Sequence, residues 1–236
     1  MRVFVTGGTG YLGSTLLRLG SGRPWVLGAS YWSQPPAVPG VAWVRLDVRD
    51  AAAVEQALKE FRPEVVIHTA YSKVSPAALE AITVQGTVHV ARACRALGAR
   101  LIHLSTDQLF DGENPPYAES AAPNPLTEYG QAKLRAEHWV QAILPTAAIV
   151  RTSLIWGLNP LDVTSQMVLE LADGKREGGL FRKKRGCGGA IIPRFSNRGY
   201  MDSPTCSEGA HSIVGGGCAI ICTCQKSALH AIHITI

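Results

Sequence analysis

The chain of 236 residues is long enough for one sizeable domain with a real buried core. Its 46% hydrophobic and 17% charged residues exclude a disordered or fibrous protein, and no run approaches the ~18 apolar residues expected of a membrane-spanning helix. The net charge of +5 is unevenly spread: residues 1–174 hold 14 Lys and Arg against 15 Asp and Glu, whereas residues 175–236 hold 9 against 3.

Met1 leads straight into the apolar run RVFVT without the anatomy of an export signal, so a cytoplasmic protein is the expectation. Short runs, apolar on both faces, predict strands at 2–6, 24–30, 41–46, 65–69, 100–106 and 147–153. Helix-period segments at 11–19, 51–61, 77–97 and 126–143 alternate with them. This rhythm predicts an α/β fold with a doubly wound parallel sheet, in which ligands bind beyond the carboxyl ends of the strands. A proline-rich loop, 107–125, leads into the last helix, and loops of that length inside a domain are usually functional or mobile.

TGGTGYLG, residues 6–13, follows the first strand and opens the first helix. It reads as Gly8, Gly10 and Gly13 in a GxGxxG pattern, or as Gly7, Gly10 and Gly13 in GxxGxxG. Either way, a turn without side chains lets backbone amides at a helix start meet a pyrophosphate, which makes Gly7, Gly10, Tyr11, Leu12 and Gly13 candidate cofactor contacts. An acidic residue about 20 positions on would read the ribose 2′-hydroxyl of NAD. None stands between Gly13 and Asp47, which favours NADP(H) and leaves NAD(H) open. Ser30 is expected near the ribose, and Arg18 is an unplaced counter-charge. Asp47 and Val48 are positioned either for the adenine edge or as a simple helix cap.

The fifth strand runs into Ser105, Thr106 and Asp107. A hydroxyl there either bonds a substrate carbonyl or caps a turn. In EYGQAKLRAEHW, Tyr129 and Lys133 share a helix face at i and i+4. A phenol is a weak acid near its ordinary pKa of about 10, and a neighbouring ammonium favours its ionisation. Hydroxyl, phenol and ammonium together form a carbonyl-reducing set with a nicotinamide as hydride source.

At this point the chain resembles the extended short-chain dehydrogenase/reductases, and within them the dTDP-4-dehydrorhamnose reductase-like group. TGGTGYLG, HTAY after the fourth strand, STDQLFDG, PPYAE, YGQAK and RTSLIWG fall in that group's order over residues 1–174. The resemblance implies a Rossmann-like domain in which Thr106 polarises a keto group, Tyr129 donates the proton and Lys133 holds the nicotinamide ribose while lowering the tyrosine pKa. It adds Thr69, Ala70 and Tyr71 to the cofactor contacts and Ser105, Asp107, Gln108 and Arg151 to the substrate contacts. Gln108 stands where the group commonly has Tyr. The implied substrate is the 4-keto group of a nucleotide-activated deoxysugar. The group also contains the regulatory subunit of methionine adenosyltransferase, so a non-catalytic NADP-binding protein is the alternative, with a homo-oligomer or protein partner to match.

Beyond SQMVLELADGK the expected substrate lobe is not recognisable, so residues 175–236 read as a basic, Cys- and Gly-rich tail of uncertain fold. An out-of-frame or alternatively spliced terminus, giving an incomplete lobe or an inactive product, is one expectation. RKKR at 182–185 reads as a solvated loop rather than a nucleic-acid patch, since no aromatics interleave it. Cys218, Cys222, Cys224, His230 and His233 lack the paired CxxC spacing of zinc modules, so no metal set is expected. Neither nucleic acid nor membrane is an expected partner.

Overall fold

The computed structural model describes residues 1–33, 38–113 and 117–153, together with Ile155, Gln166, Glu170 and three short strands further on. The strands are β1 Arg2–Thr6, β2 Val26–Tyr31, β3 Val41–Arg45, β4 Val65–His68, β5 Arg100–Thr106, β6 Ala148–Thr152, β7 Arg194–Phe195, β8 Met201–Asp202 and β9 Cys218–Ile221. The helices are α1 Tyr11–Ser21, α2 Ala51–Phe61, α3 Pro76–Ala78, α4 Gly86–Leu97 and α5 Glu128–Ile143. The main sheet has the order β3-β2-β1-β4-β5-β6-β9, and every pairing in it is parallel. The reversal of strand order between β1 and β4 opens a crevice at their carboxyl ends, where the doubly wound Rossmann-like fold binds its ligands.

Alternation along the strands fills both faces. Phe4, Val66, Leu101 and Ile149 point to the side covered by α2, α4 and α5, and Val3, Val5, Ile67 and Ile102 to the side covered by α1. Helix ends are set by local chemistry: the Asp50 carboxylate accepts from the Ala53 amide at the start of α2, and the Thr127 hydroxyl accepts from the Gly130 amide at the start of α5. Gly98, at φ +68°, closes α4.

The six strands and four helices read from the sequence are present with ends shifted by a residue or two, except that the helix expected at 77–97 is not uniform. Between α3 and α4 the stretch Leu79–Gln85 is π-helical. In that widened turn the Thr83 hydroxyl donates to the Ser72 carbonyl (2.8 Å) and accepts from the Ser72 amide (3.1 Å), which anchors the loop after β4. Apolar periodicity cannot separate α from π geometry over two turns, so the sequence carried no sign of it.

The sequence pattern gave no element to the tail, and the structure adds β9 at the β6 edge and a small antiparallel β7–β8 ribbon. The RKKR run and Cys222, Cys224, His230 and His233 lie outside the described residues, and for Cys218 only the backbone is described. Among the described residues, no helix is long and apolar enough to cross a membrane.

Candidate active site

The glycine turn is built by contact too close for side chains. Gly7 has φ +67°, and a Cβ on Gly13 would lie 2.4 Å from the Gly7 carbonyl oxygen, so the first turn of α1 rests directly on the loop. The Gly7 amide donates to Ser30 Oγ (3.2 Å) and the Gly8 amide to the Ser30 carbonyl (2.7 Å). Ser30 is therefore buried and fastens the turn to the end of β2. No acidic residue stands in the first turn of α1, whose positive dipole end suits a pyrophosphate. Gly10, Tyr11 and Leu12 are at least partly accessible there.

Asp47 is held by Arg49 through both carboxylate oxygens, and this hydrogen-bonded pairing keeps its pKa below the ordinary range. Asp50, and not Asp47, caps α2. Val48 is buried beneath Gly86, its carbonyl 3.0 Å from His89 Nδ1. Arg18 reaches back along α1 to Ser14 Oγ and Thr15 Oγ1.

Across the crevice, Thr69 donates to the Thr6 carbonyl (2.7 Å), and a Cβ on Gly7 would touch the Ala70 backbone at 3.0 Å. Tyr71 then links the two sides. Its ring centroid lies 5.7 Å from that of Tyr129 and 5.6 Å from Lys133 Nζ. The phenol and ammonium of α5 thus stand on the same crevice as the glycine turn.

Thr106 Oγ1 accepts from the Gln108 amide (3.2 Å) and donates to Asp107 Oδ1 (3.3 Å), capping the short 3₁₀ turn Asp107–Leu109. The start of α5 packs onto that turn through Gly130, where a Cβ would lie 2.3 Å from the Gln108 carbonyl oxygen. The glycine inside YGQAK is what lets Tyr129 approach the Thr106 turn. The Thr127 hydroxyl adds a 3.4 Å contact to Gln108 Oε1. The loop that follows is tied by Asp111, which accepts from the Tyr117 hydroxyl and from Asn124 Nδ2 (2.9 Å); these bonds pull its pKa down to about 2.

Burial pushes the Tyr129 phenol well above its ordinary pKa, with Tyr71 and Asp107 adding to the effect. Lys133 does not act on it here: its ammonium donates to the Leu104 carbonyl at 2.7 Å, and burial lowers its pKa to about 8 against the raising influence of Glu137. The expected lowering of the Tyr129 pKa by Lys133 is not what this arrangement produces, because the ammonium is aimed at the backbone of β5.

Under these residues lies a polar layer that the sequence reading missed. In-register neighbours Thr6, His68 and His103 cross β1, β4 and β5, with Ser105 beside Arg151 on β6. Thr87 already donates to the Thr83 carbonyl, so its oxygen accepts from His68 Nε2–H (3.0 Å). That leaves Nδ1 as the acceptor of the Thr6 hydroxyl (2.7 Å) and assigns His68 as a neutral imidazole. His103 stacks on it at 5.6 Å. Burial lowers the His68 pKa to about 3 and takes His103 well below its usual value, with Lys133 contributing to both. Among the described residues, neither His103 nitrogen nor Ser105 Oγ has a partner.

Arg151 is not in the open crevice. It forms a buried two-point pair with Glu137, Nη2 to Oε2 at 2.7 Å and Nε to Oε1 at 3.1 Å, one turn along α5 from Lys133. Glu137 sits at i+4 from Lys133, and His103 alternates with Ser105. Both spacings were legible, but a lone Glu or His in an amphipathic run carries no sign that it faces inward.

The family model described as RmlD substrate binding domain matches residues 1–187. The chain is 35% identical over 162 residues to methionine adenosyltransferase 2 subunit beta of Danio rerio, covering 66% of this chain and 48% of that protein. It is 37% identical over 180 residues to the dTDP-4-dehydrorhamnose reductase of Streptomyces griseus, covering 73% and 56%. Among solved structures, the Bordetella bronchiseptica enzyme WbmG in complex with NAD aligns with a TM-score of 0.66 at 25% identity, over 74% of this chain and 60% of that one. The Bacillus anthracis dTDP-4-dehydrorhamnose reductase in complex with NADP aligns with a TM-score of 0.58 at 30% identity, over 75% and 61%. The chain spans about half the length of the curated relatives it matches.

Proposed function

Because this chain belongs to the RmlD substrate binding domain family, we propose that its crevice binds NADP(H) and that Tyr129 and Lys133 serve the reduction of a keto group on a nucleotide-activated deoxysugar. The observation that carries this reading is the position of Tyr71: it touches both members of the pair and follows Ala70, which packs on Gly7. A bound nicotinamide would supply the hydride for the keto carbon, and the Tyr129 hydroxyl would give its proton to the keto oxygen. Thr106 Oγ1, at the carboxyl end of β5, is the donor that turns from Asp107 to the substrate oxygen. Lys133, whose ammonium donates to the Leu104 carbonyl, would hold the ribose hydroxyls of a bound dinucleotide.

The experiment is an NADPH titration of the purified chain followed by turnover with a dTDP-4-keto-6-deoxysugar. Cofactor oxidation dependent on the sugar supports the reductase. A specific observation favours a second reading, a non-catalytic dinucleotide-binding regulator: the Lys133 ammonium is committed to the Leu104 carbonyl of β5 rather than to the Tyr129 phenol. NADPH binding without turnover, together with a stable protein partner, selects that reading, and the absence of NADPH binding refutes both.

A further inference from the structure

Building on the reading of the crevice as a dinucleotide site, we propose that Arg45 is the specificity-determining residue that selects a 2′-phosphorylated dinucleotide over an unphosphorylated one.

In this fold the ribose 2′ position is read at the end of β2, ordinarily by a carboxylate when the cofactor lacks the phosphate. Here that position carries no acid. Register brings a cation to it from the neighbouring strand: Tyr31, the last residue of β2, pairs with Arg45, the last of β3, and the Leu46 amide donates to the Tyr31 carbonyl at 2.9 Å.

Alternation along β3 puts Arg45 on the same face as Trp43, whose ring packs where a Cβ on Gly8 would reach it at 2.9 Å. Tyr31 meets Trp43 edge-on at 6.3 Å. A continuous row therefore runs from the glycine turn through Trp43 and Tyr31 to the exposed guanidinium. That group is oriented rather than loose: Arg45 Nε donates to the Trp32 carbonyl at 3.3 Å, and its Cζ lies 5.0 Å from the Trp32 ring. Among the described residues, no carboxylate forms a salt bridge with it, in contrast to Arg49, which is neutralised by Asp47. A planar guanidinium fixed through Nε keeps its outer N–H groups for paired bonds to phosphate oxygens. Arg18, a cation on the helix that follows the glycine turn, is turned along α1 instead.

The test is the ratio of NADPH to NADH affinity, measured by fluorescence titration on the full chain and on Arg45→Ala, Arg45→Lys and Arg18→Ala. The expected result is a wild-type ratio of tenfold or more in favour of NADPH. Arg45→Ala should lower it at least tenfold, Arg45→Lys should fall between, and Arg18→Ala should leave it in place. Melting temperatures of the ligand-free proteins check that the variants fold. An unchanged ratio in Arg45→Ala, its loss in Arg18→Ala alone, or equal wild-type affinity for the two cofactors overturns the assignment while the dinucleotide site stands. Failure of the wild type to bind either cofactor overturns the site and the assignment together.

Discussion

The two sides of the crevice are made differently. On the β1–β2–β3 side the site consists of backbone brought close by missing side chains, with a serine clasp and cations at the rim. On the β4–β5–β6 side it consists of ionisable side chains taken out of water, Lys133, Glu137, Arg151, His68 and His103, held among buried threonines and serines above the apolar core. Backbone amides hold an anion without any group changing its protonation, so that side needs shape. In the proposed reduction, proton transfer draws on groups whose pKa values are moved by burial and neighbours, and the other side buries such groups. Substitutions on one side should therefore change binding, and those on the other should change turnover and the pH response of stability.

The sharpest break is Tyr129→Phe. Turnover with a keto-sugar should fall by about 10²–10⁴-fold, the usual contribution of a positioned general acid, while NADPH affinity stays within about twofold. Equal turnover in the mutant removes the phenol from the chemistry and blurs the division.

Next is the pair beneath it. Glu137→Leu or Arg151→Met alone should cost about 3–5 kcal/mol in urea denaturation, since each leaves a buried charge unmatched, whereas the double variant should recover most of that loss. Additive losses would mean that the two groups are not coupled.

Gly130→Ala sets a Cβ against the Gln108 carbonyl, and Gly13→Ala sets one against Gly7. Each should cost about 1–3 kcal/mol of stability through forced backbone shifts. Their functional signatures should differ: Gly13→Ala weakens NADPH binding, and Gly130→Ala slows turnover more than it weakens binding. The same signature from both would erase the distinction.

Per unit of pH, the smallest effect is the acid response of stability. His68 and His103 are buried neutral, with pKa values below that of the unfolded chain, so acid favours unfolding. Their contribution is complete above about pH 6.5 and is lost as pH falls toward about 3, the value for His68, at up to about 1.4 kcal/mol per pH unit for each proton taken up. His103→Asn should flatten that slope in chemical denaturation curves recorded between pH 7 and 4. A slope unchanged by the substitution would show that His103 is not buried neutral.

The sequence was most informative where chemistry is local. Alternating apolar runs, glycines at a strand-to-helix turn and i, i+4 spacing set the succession of strands and helices, the glycine turn and the Tyr129–Lys133 spacing, because each depends on neighbours within one turn or one strand. Ser30 was placed at the right strand end, but its task, clasping Gly7 and Gly8, depends on β2 lying beside β1. Arg151, a substrate contact by resemblance, is found paired to Glu137, because alternation gives a strand residue its face but not the partner that a distant helix sets against it.

By itself, then, the sequence determined a doubly wound sheet, a glycine turn after β1 and a tyrosine and lysine one turn apart on α5. Only the tertiary structure decided which cation stands beside the end of β2, that the histidines of β4 and β5 stack in register, and where the Lys133 ammonium points. The reason is physical: those outcomes follow from side chains meeting across strands and helices far apart in the chain. Pairing, burial and the resulting pKa shifts are properties of that meeting, and no residue carries them alone.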